Sequence, residues 1–254
     1  MMDCAIQKKP QRPVELYDEV QHAFAHFNAA LFAGALPFCM ITLQRQKRTC
    51  GYFAQQRFAS VEEGLIVDEI ALNPEYFAIS PLSEVMSTLV HEMVHQWQFH
   101  HGKPSRRTYH NTEWADKMEA IGLMPSSTGK PGGARTGESM GDYVIEGGLF
   151  ETAFQALATQ EFTLSWFDRF PPKECGDADI SAALAVAHGS AAEKLKSLIA
   201  LPPEKPNRSN RIKYACPKCG VRAWGKPDLR LLCGNPACNA EPLAAASTCS
   251  EEKQ

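Results

Sequence analysis

The 254-residue chain can form one large domain or two small ones, and its 44% hydrophobic and 22% charged content is that of a globular protein. A net charge of −3 rules out a nucleic-acid signature spread over the whole chain, so any such contact must be regional. No apolar run approaches the roughly 18 residues that span a membrane, and the stretch MMDCAIQKKPQRPVE lacks a signal-peptide core, so no membrane partner and a cytoplasmic location are expected.

Residues 14–36 predict an amphipathic helix. Leu16, Val20, Phe24, Phe27, Leu31 and Phe32 form its apolar side, and Gly34 marks its exit. Three strand-like runs follow, at 41–44, 51–57 and 64–72, the last closed by Asn73-Pro74. Ser80-Pro81 can cap and start a helix over 81–99, with Pro81 at its first position. Leu82, Val85, Met86, Leu89, Val90, Met93 and Val94 recur along it at helical spacing, as a buried face requires. A polar loop at 102–109 leads to a helix over 111–121, with Asn111 as N-cap and Gly122 at the C-terminal cap. Helix, small sheet, helix and helix predict an α+β unit.

Beyond residue 125 the composition changes. Gly, Ser, Thr and Pro dominate 125–141, which reads as a loop or linker. A strand over 143–150, a short helix over 151–159 and a further helix over 180–200 are expected. There is no internal repeat, and Pro202, Pro203 and Pro206 mark a second boundary.

The most informative stretch is His91-Glu92-Met93-Val94-His95, inside the 81–99 helix. Residues four apart on a helix lie only about 40° apart around its axis, so His91 and His95 can hold one zinc ion. Glu92 beside them can take a proton from the attacking water. A core helix with two satisfied histidines would show the same letters, but the helical setting favours the metal. A catalytic zinc takes three protein ligands and keeps a position open for water. His100, His101, His110 and Glu113 compete for the third place. His101 has metzincin spacing, yet Gln98 stands where that pattern needs glycine to turn the chain back. His100 and His101 also suit a helix C-terminus, where imidazoles meet the negative end of the dipole. His110 and Glu113, at the start of the next helix, can both reach the first.

His91 to His95, the loop, and His110-Asn111-Thr112-Glu113-Trp114-Ala115-Asp116-Lys117-Met118 resemble the SprT-like metalloprotease family, which includes the DNA-dependent protease Spartan. Asn111 stands where that family has glycine, and Trp114 where it has phenylalanine. The 14–36 helix, Gly51-Tyr52-Phe53 and Ile70-Ala71-Leu72-Asn73 also fit, so the likeness spans residues 14–125. It implies a zincin-like fold of helices packed on a small sheet, His110 as the third zinc ligand, and a protein substrate bound or crosslinked to DNA. Glu113 then becomes a solvated carboxylate or a partner outside the ligand set.

Of the nine cysteines, Cys4, Cys39, Cys50, Cys175 and Cys249 are scattered and read as free thiols. Cys216-Pro217-Lys218-Cys219-Gly220 and Cys233-Gly234-Asn235-Pro236-Ala237-Cys238 form two pairs separated by a hairpin-sized insert. Four thiolates so spaced predict a small β zinc ribbon, whose closed shell makes its zinc structural. Eight Lys or Arg against two acidic residues fill 203–232. Within that run Arg208, Arg211, Lys213 and Arg222 surround Tyr214 and Trp224, a pattern suited to DNA, single strands above all, through phosphate pairing and base stacking. A solvated ribbon surface with Trp224 packing the module is the plainer alternative.

The expected organisation is a SprT-like metalloprotease domain over 11–125, a partly helical linker or insert over 126–202, a zinc ribbon over 203–245 and a flexible tail over 246–254. The expected cofactors are one catalytic and one structural Zn2+. The other class of function is a nucleic-acid-associated protein, transcription-related, in which a fourth protein ligand closes the first metal site. Glu113 or His101 would supply that ligand.

Overall fold

The computed structural model describes residues 12–159, 162–172, 177–188, 192–200 and 211–245. They fall into two compact units divided between residues 202 and 203.

The first unit begins with α1 (Arg12–Phe32). Leu16, Val20, Ala23, Phe24, Phe27 and Leu31 are buried, as their spacing predicts. The helix stops short of residue 36 because Ala33 and Gly34 both turn left-handed, and the Gly34 N–H donates back to the Asn28 carbonyl at 2.9 Å. The sheet contains β1 (Cys39–Leu43), β2 (Gly51–Ala59) and β3 (Ile66–Leu72), in the order β1-β3-β2. β3 is central, parallel to β1 and antiparallel to β2, and is buried from Asp68 to Leu72. A bulge interrupts β2 between Ala54 and Phe58. The Gln56 N–H freed there donates to the Asp68 carboxylate at 2.8 Å. Gln96 and His100 donate to the other oxygen of Asp68 at 3.2 and 2.6 Å, so this buried carboxylate is fully engaged.

Helix α2 (Leu82–His101) lies against β2, β3 and α1 and buries Val85, Met86, Leu89, Val90, Met93 and Val94. Pro81 is its N-cap rather than its first helical residue, and no side chain caps it. The Pro81 carbonyl instead accepts the Glu84 and Val85 N–H groups, so Ser80 is not needed in that role. In α3 (Thr112–Ala120) the predicted cap holds: Asn111 Oδ1 accepts the Trp114 N–H at 3.0 Å.

Residues 126–158 differ from the expected linker. Strand β4 (Leu123–Ser126) pairs antiparallel with β5 (Gly141–Val144). Helix α4 (Leu149–Ala158) then packs on α1. Phe150, Ala153 and Leu157 belong to the same core as α1 and α2, Phe150 stacks on Phe27, and the His26 ring N–H donates to the Ala153 carbonyl at 2.8 Å. The apolar side of α1 is too wide for α2 and the sheet alone, and α4 supplies the rest. The strand expected over 143–150 therefore ends at Val144, and the helix begins at Leu149. The helix expected over 180–200 is two, α5 (Asp177–His188) and α6 (Ala192–Leu198).

In the second unit, β6 (Ile212–Ala215) pairs antiparallel with β7 (Arg222–Gly225) and β8 (Ala244–Ala245), giving the order β7-β6-β8. Its core is Cys216, Cys233 and Cys238 with Leu243 packed against them. The molecule is α+β: helices on a small sheet, plus a small β-sheet carrying four cysteines. No helix among the described residues is long and apolar enough to cross a membrane.

Candidate metal centre

His91 and His95 lie one turn apart on α2 with Glu92 next to His91, and His110 immediately precedes the N-cap of α3. An antiparallel bridge fixes His110: its N–H donates to the Gly137 carbonyl at 2.8 Å and its carbonyl accepts the Gly137 N–H at 3.2 Å. One ring nitrogen from each of His91, His95 and His110 lies within 4.8 Å of the others. His95 Nε2 and His110 Nε2 are 3.1 Å apart. Two nitrogens each about 2.0–2.1 Å from a tetrahedral ion sit about 3.3 Å from one another, so the donor set fits zinc.

The imidazoles are set by what surrounds them. Trp114, fully buried, lies edge-on to His91 and His110 at centroid distances of 4.8 and 4.4 Å and stacks on His95 at 5.4 Å. His91 Nδ1 faces Asp142 Oδ2 at 3.0 Å, and His110 Nδ1 faces the Gly137 carbonyl at 3.1 Å. Each therefore carries its proton on Nδ1 and turns Nε2 inward. Burial opposes the charged form of His91, but the Asp142 hydrogen bond and the Glu92 and Asp142 charges outweigh it and raise its pKa. Burial, then the His91 and His110 charges, hold His95 well below its ordinary value. Burial, helped by the His91 charge, lowers His110 to about 4 against the Gly137 and Thr108 backbone bonds. Neutral imidazole is the form that binds metal.

Glu92 is 6% exposed. Burial raises its pKa to about 7, with His91 pulling it down, Asp142 pushing it up and the Phe53 N–H pulling it down. That N–H reaches Glu92 because β2 crosses α2 very closely at Gly51. A Cβ on Gly51 would meet the Ala71 carbonyl oxygen at 2.9 Å, Thr88 Cγ2 at 3.0 Å and Glu92 Cγ at 3.4 Å.

The other candidate ligands are engaged elsewhere. His100 meets Asp68, and the His101 ring N–H donates to the Ala35 carbonyl at 3.1 Å. Glu113 Oε2 accepts from Gln98 Nε2 at 2.8 Å and from the Lys103 N–H at 2.6 Å, tying the loop between α2 and α3. Sequence reasoning missed Asp142 and Gly137. Gly137 acts through its backbone, and Asp142 stands 51 residues from His91 with no spacing to connect them.

In the second unit the sulfurs of Cys216, Cys219, Cys233 and Cys238 lie within 4.8 Å of one another, with Cys219 and Cys233 at 3.5 Å. Tetrahedral zinc at about 2.3 Å from each sulfur would separate them by about 3.8 Å, so the second donor set fits as well. Gly220, left-handed, closes the first knuckle and donates its N–H to the Cys216 carbonyl at 2.9 Å. Asn235 Oδ1 accepts the Ala237 N–H and shapes the second.

Among the expected DNA contacts, Trp224 is 63% exposed and stands across from Lys213 in the sheet, and Arg222 is exposed. Arg211 is exposed next to β6, and Arg208 lies outside the described residues. Tyr214 is a correction: it is only 3% exposed. Its hydroxyl donates to the Lys226 carbonyl at 2.7 Å and accepts the Leu229 N–H at 3.0 Å. The ring has no open face for a base because it packs the 226–229 turn.

Two histidines and a carboxylate on α2 with a third histidine ahead of α3, set on this α+β frame, have the form of a zinc peptidase centre. Residues 20–131 match the model of the SprT-like family, and the chain belongs to that family. Membership implies a zinc metalloprotease. A 56-residue stretch is 55% identical to a Salmonella typhimurium protein described as "Uncharacterized protein in mucB 3'region", covering 22% of this chain and 76% of that protein. No solved structure matches the chain.

Proposed function

We propose that the chain is a zinc-dependent endopeptidase acting on proteins bound or crosslinked to DNA, with a catalytic zinc at His91, His95 and His110 and a structural zinc at the four cysteines. The observation that carries the catalytic part is the convergence of the three imidazoles beside Glu92, a buried carboxylate whose pKa of about 7 suits a general base. When bound, the metal lowers the pKa of water and polarises the peptide carbonyl. Glu92 receives the proton of the attacking water and returns it to the leaving amine. Phe53 orients Glu92 through its backbone N–H, and Trp114 keeps the imidazoles packed. The engagement of His101 and Glu113 elsewhere favours an enzyme over a closed structural site.

The DNA-associated substrate follows from the family resemblance and from the exposed Trp224 beside Lys213 and Arg222 on the ribbon. The test is cleavage of DNA-bound proteins by wild type and Glu92→Gln, with and without single-stranded DNA. Cleavage by wild type alone, faster with DNA, is expected. Equal cleavage by both proteins would overturn the mechanism, and cleavage indifferent to DNA would overturn the substrate.

A further inference from the structure

The second strand of the β4–β5 hairpin, beyond the family-matched region, reaches back into the metal centre. Asp142 is in β5 opposite Pro125, so its place is fixed by strand register rather than by a free loop. Its side chain and that of His91 are about equally buried, at 8% and 10% exposure. One carboxylate oxygen, Oδ2, meets His91 Nδ1 at 3.0 Å, while Oδ1 is buried without a hydrogen-bond partner. A buried carboxylate with an unsatisfied oxygen is costly unless positive charge stands close by. Five residues earlier, the Gly137 carbonyl takes the Nδ1 side of His110. The 137–142 segment thus holds the outer nitrogens of two of the three imidazoles, from outside residues 20–131.

We propose that Asp142 is a positioning residue of the metal centre: it accepts the His91 Nδ1 proton, fixes the tautomer and ring orientation that present Nε2 to the cation, and balances the charge that binding brings into the buried site. The proposal rests on the reading of the three histidines as a zinc site. A metal-bound imidazole is a stronger Nδ1 donor, so the hydrogen bond to the carboxylate strengthens when the cation binds. Asp142 is not a ligand here, because the nitrogen it meets is the one turned away from the other histidines.

The test uses the full-length protein. Wild type, Asp142→Ala and Asp142→Asn are titrated with zinc against a competing chelator, and imidazole N–H signals are followed by NMR in the zinc-loaded proteins. Removing such a partner weakens zinc binding by about 10–100-fold, so that loss is expected at the histidine site of Asp142→Ala, with the cysteine site unchanged as an internal control. Asp142→Asn keeps an oxygen for the same proton and is expected to lose less than about 10-fold. A slowly exchanging His91 Nδ1–H signal is expected in wild type and Asp142→Asn and not in Asp142→Ala. If the alanine variant does not fold, the near-isosteric asparagine variant carries the test through that signal and its affinity. Wild-type zinc affinity in Asp142→Ala, or an asparagine variant as weak as alanine, overturns the proposal. A wild-type protein that takes zinc only at the cysteines would instead defeat the metal-site reading beneath it.

Discussion

Glu92 sits beside the three imidazoles without being one of the grouped metal-binding residues, so its removal should be felt in the chemistry rather than in metal content. Glu92→Gln keeps the carbonyl oxygen that faces the Phe53 N–H and removes only the base. It should retain both zinc ions by elemental analysis while peptide hydrolysis falls about 10²–10⁴-fold, the contribution usual for a positioned base. His110→Ala should lower bound zinc from two ions per chain to one. His101→Ala should leave both in place, because its ring meets a backbone carbonyl instead; the reverse result would revive the metzincin-like arrangement. His91, Glu92 and His95 could be read from local spacing because one helix carries all three. His110 needed the family resemblance, since nothing local separates it from Glu113 until Glu113 is seen tied to Gln98 and Lys103. Tyr214 and Trp224 looked alike in the sequence. They diverge because Tyr214, on the central strand of its sheet, faces the 226–229 turn, whereas Trp224 is on an edge strand.

Among the elements, the approach of β2 to α2 is the most exacting. Gly51→Ala should push the strand from the helix and draw the Phe53 N–H away from Glu92. The expected result is reduced hydrolysis with zinc content unchanged, checked by kinetics beside metal analysis; unaltered kinetics would mean that the contact is slack. The helices at 14–36, 81–99 and 111–121 could be read from periodicity and caps because each buries one continuous face. The β4–β5 hairpin could not. Its strands are four residues each, one contains Pro125, and the intervening residues have loop composition. Only the core that α1 leaves incomplete reveals why α4 must return. Phe150→Ala should cost about 3–5 kcal/mol of stability in denaturant unfolding, the range for a buried Phe that leaves a cavity.

At the scale of the molecule, the two units should come apart cleanly. A chain stopped at residue 202 should keep the folded first unit, because the side chains that build or pack on its core, among the described residues, run no further than Phe167. Loss of its near-ultraviolet dichroism would show otherwise. That chain should bind single-stranded DNA more weakly than the full protein at matched salt, and full-length binding should fall as salt rises. Trp224→Ala should weaken single strands more than duplex. Equal affinity with and without the second unit would point to a protein partner for the ribbon. Chelation should unfold that unit, whose core is little more than its cysteines.

The pairing of α1 with α4 also has a consequence in time. His26 and Ala153 bond across 127 residues of chain. At about 5–20 residues per second of synthesis, α1 waits about 6–25 s before the helix that covers it exists. For that interval Phe27 has no Phe150 to stack on, and the nascent chain carries an adhesive stripe. A ribosome stalled after β5 and before α4 would therefore display a completed histidine trio on a body not yet closed, and such chains should be captured by chaperones until Leu149–Ala158 arrives.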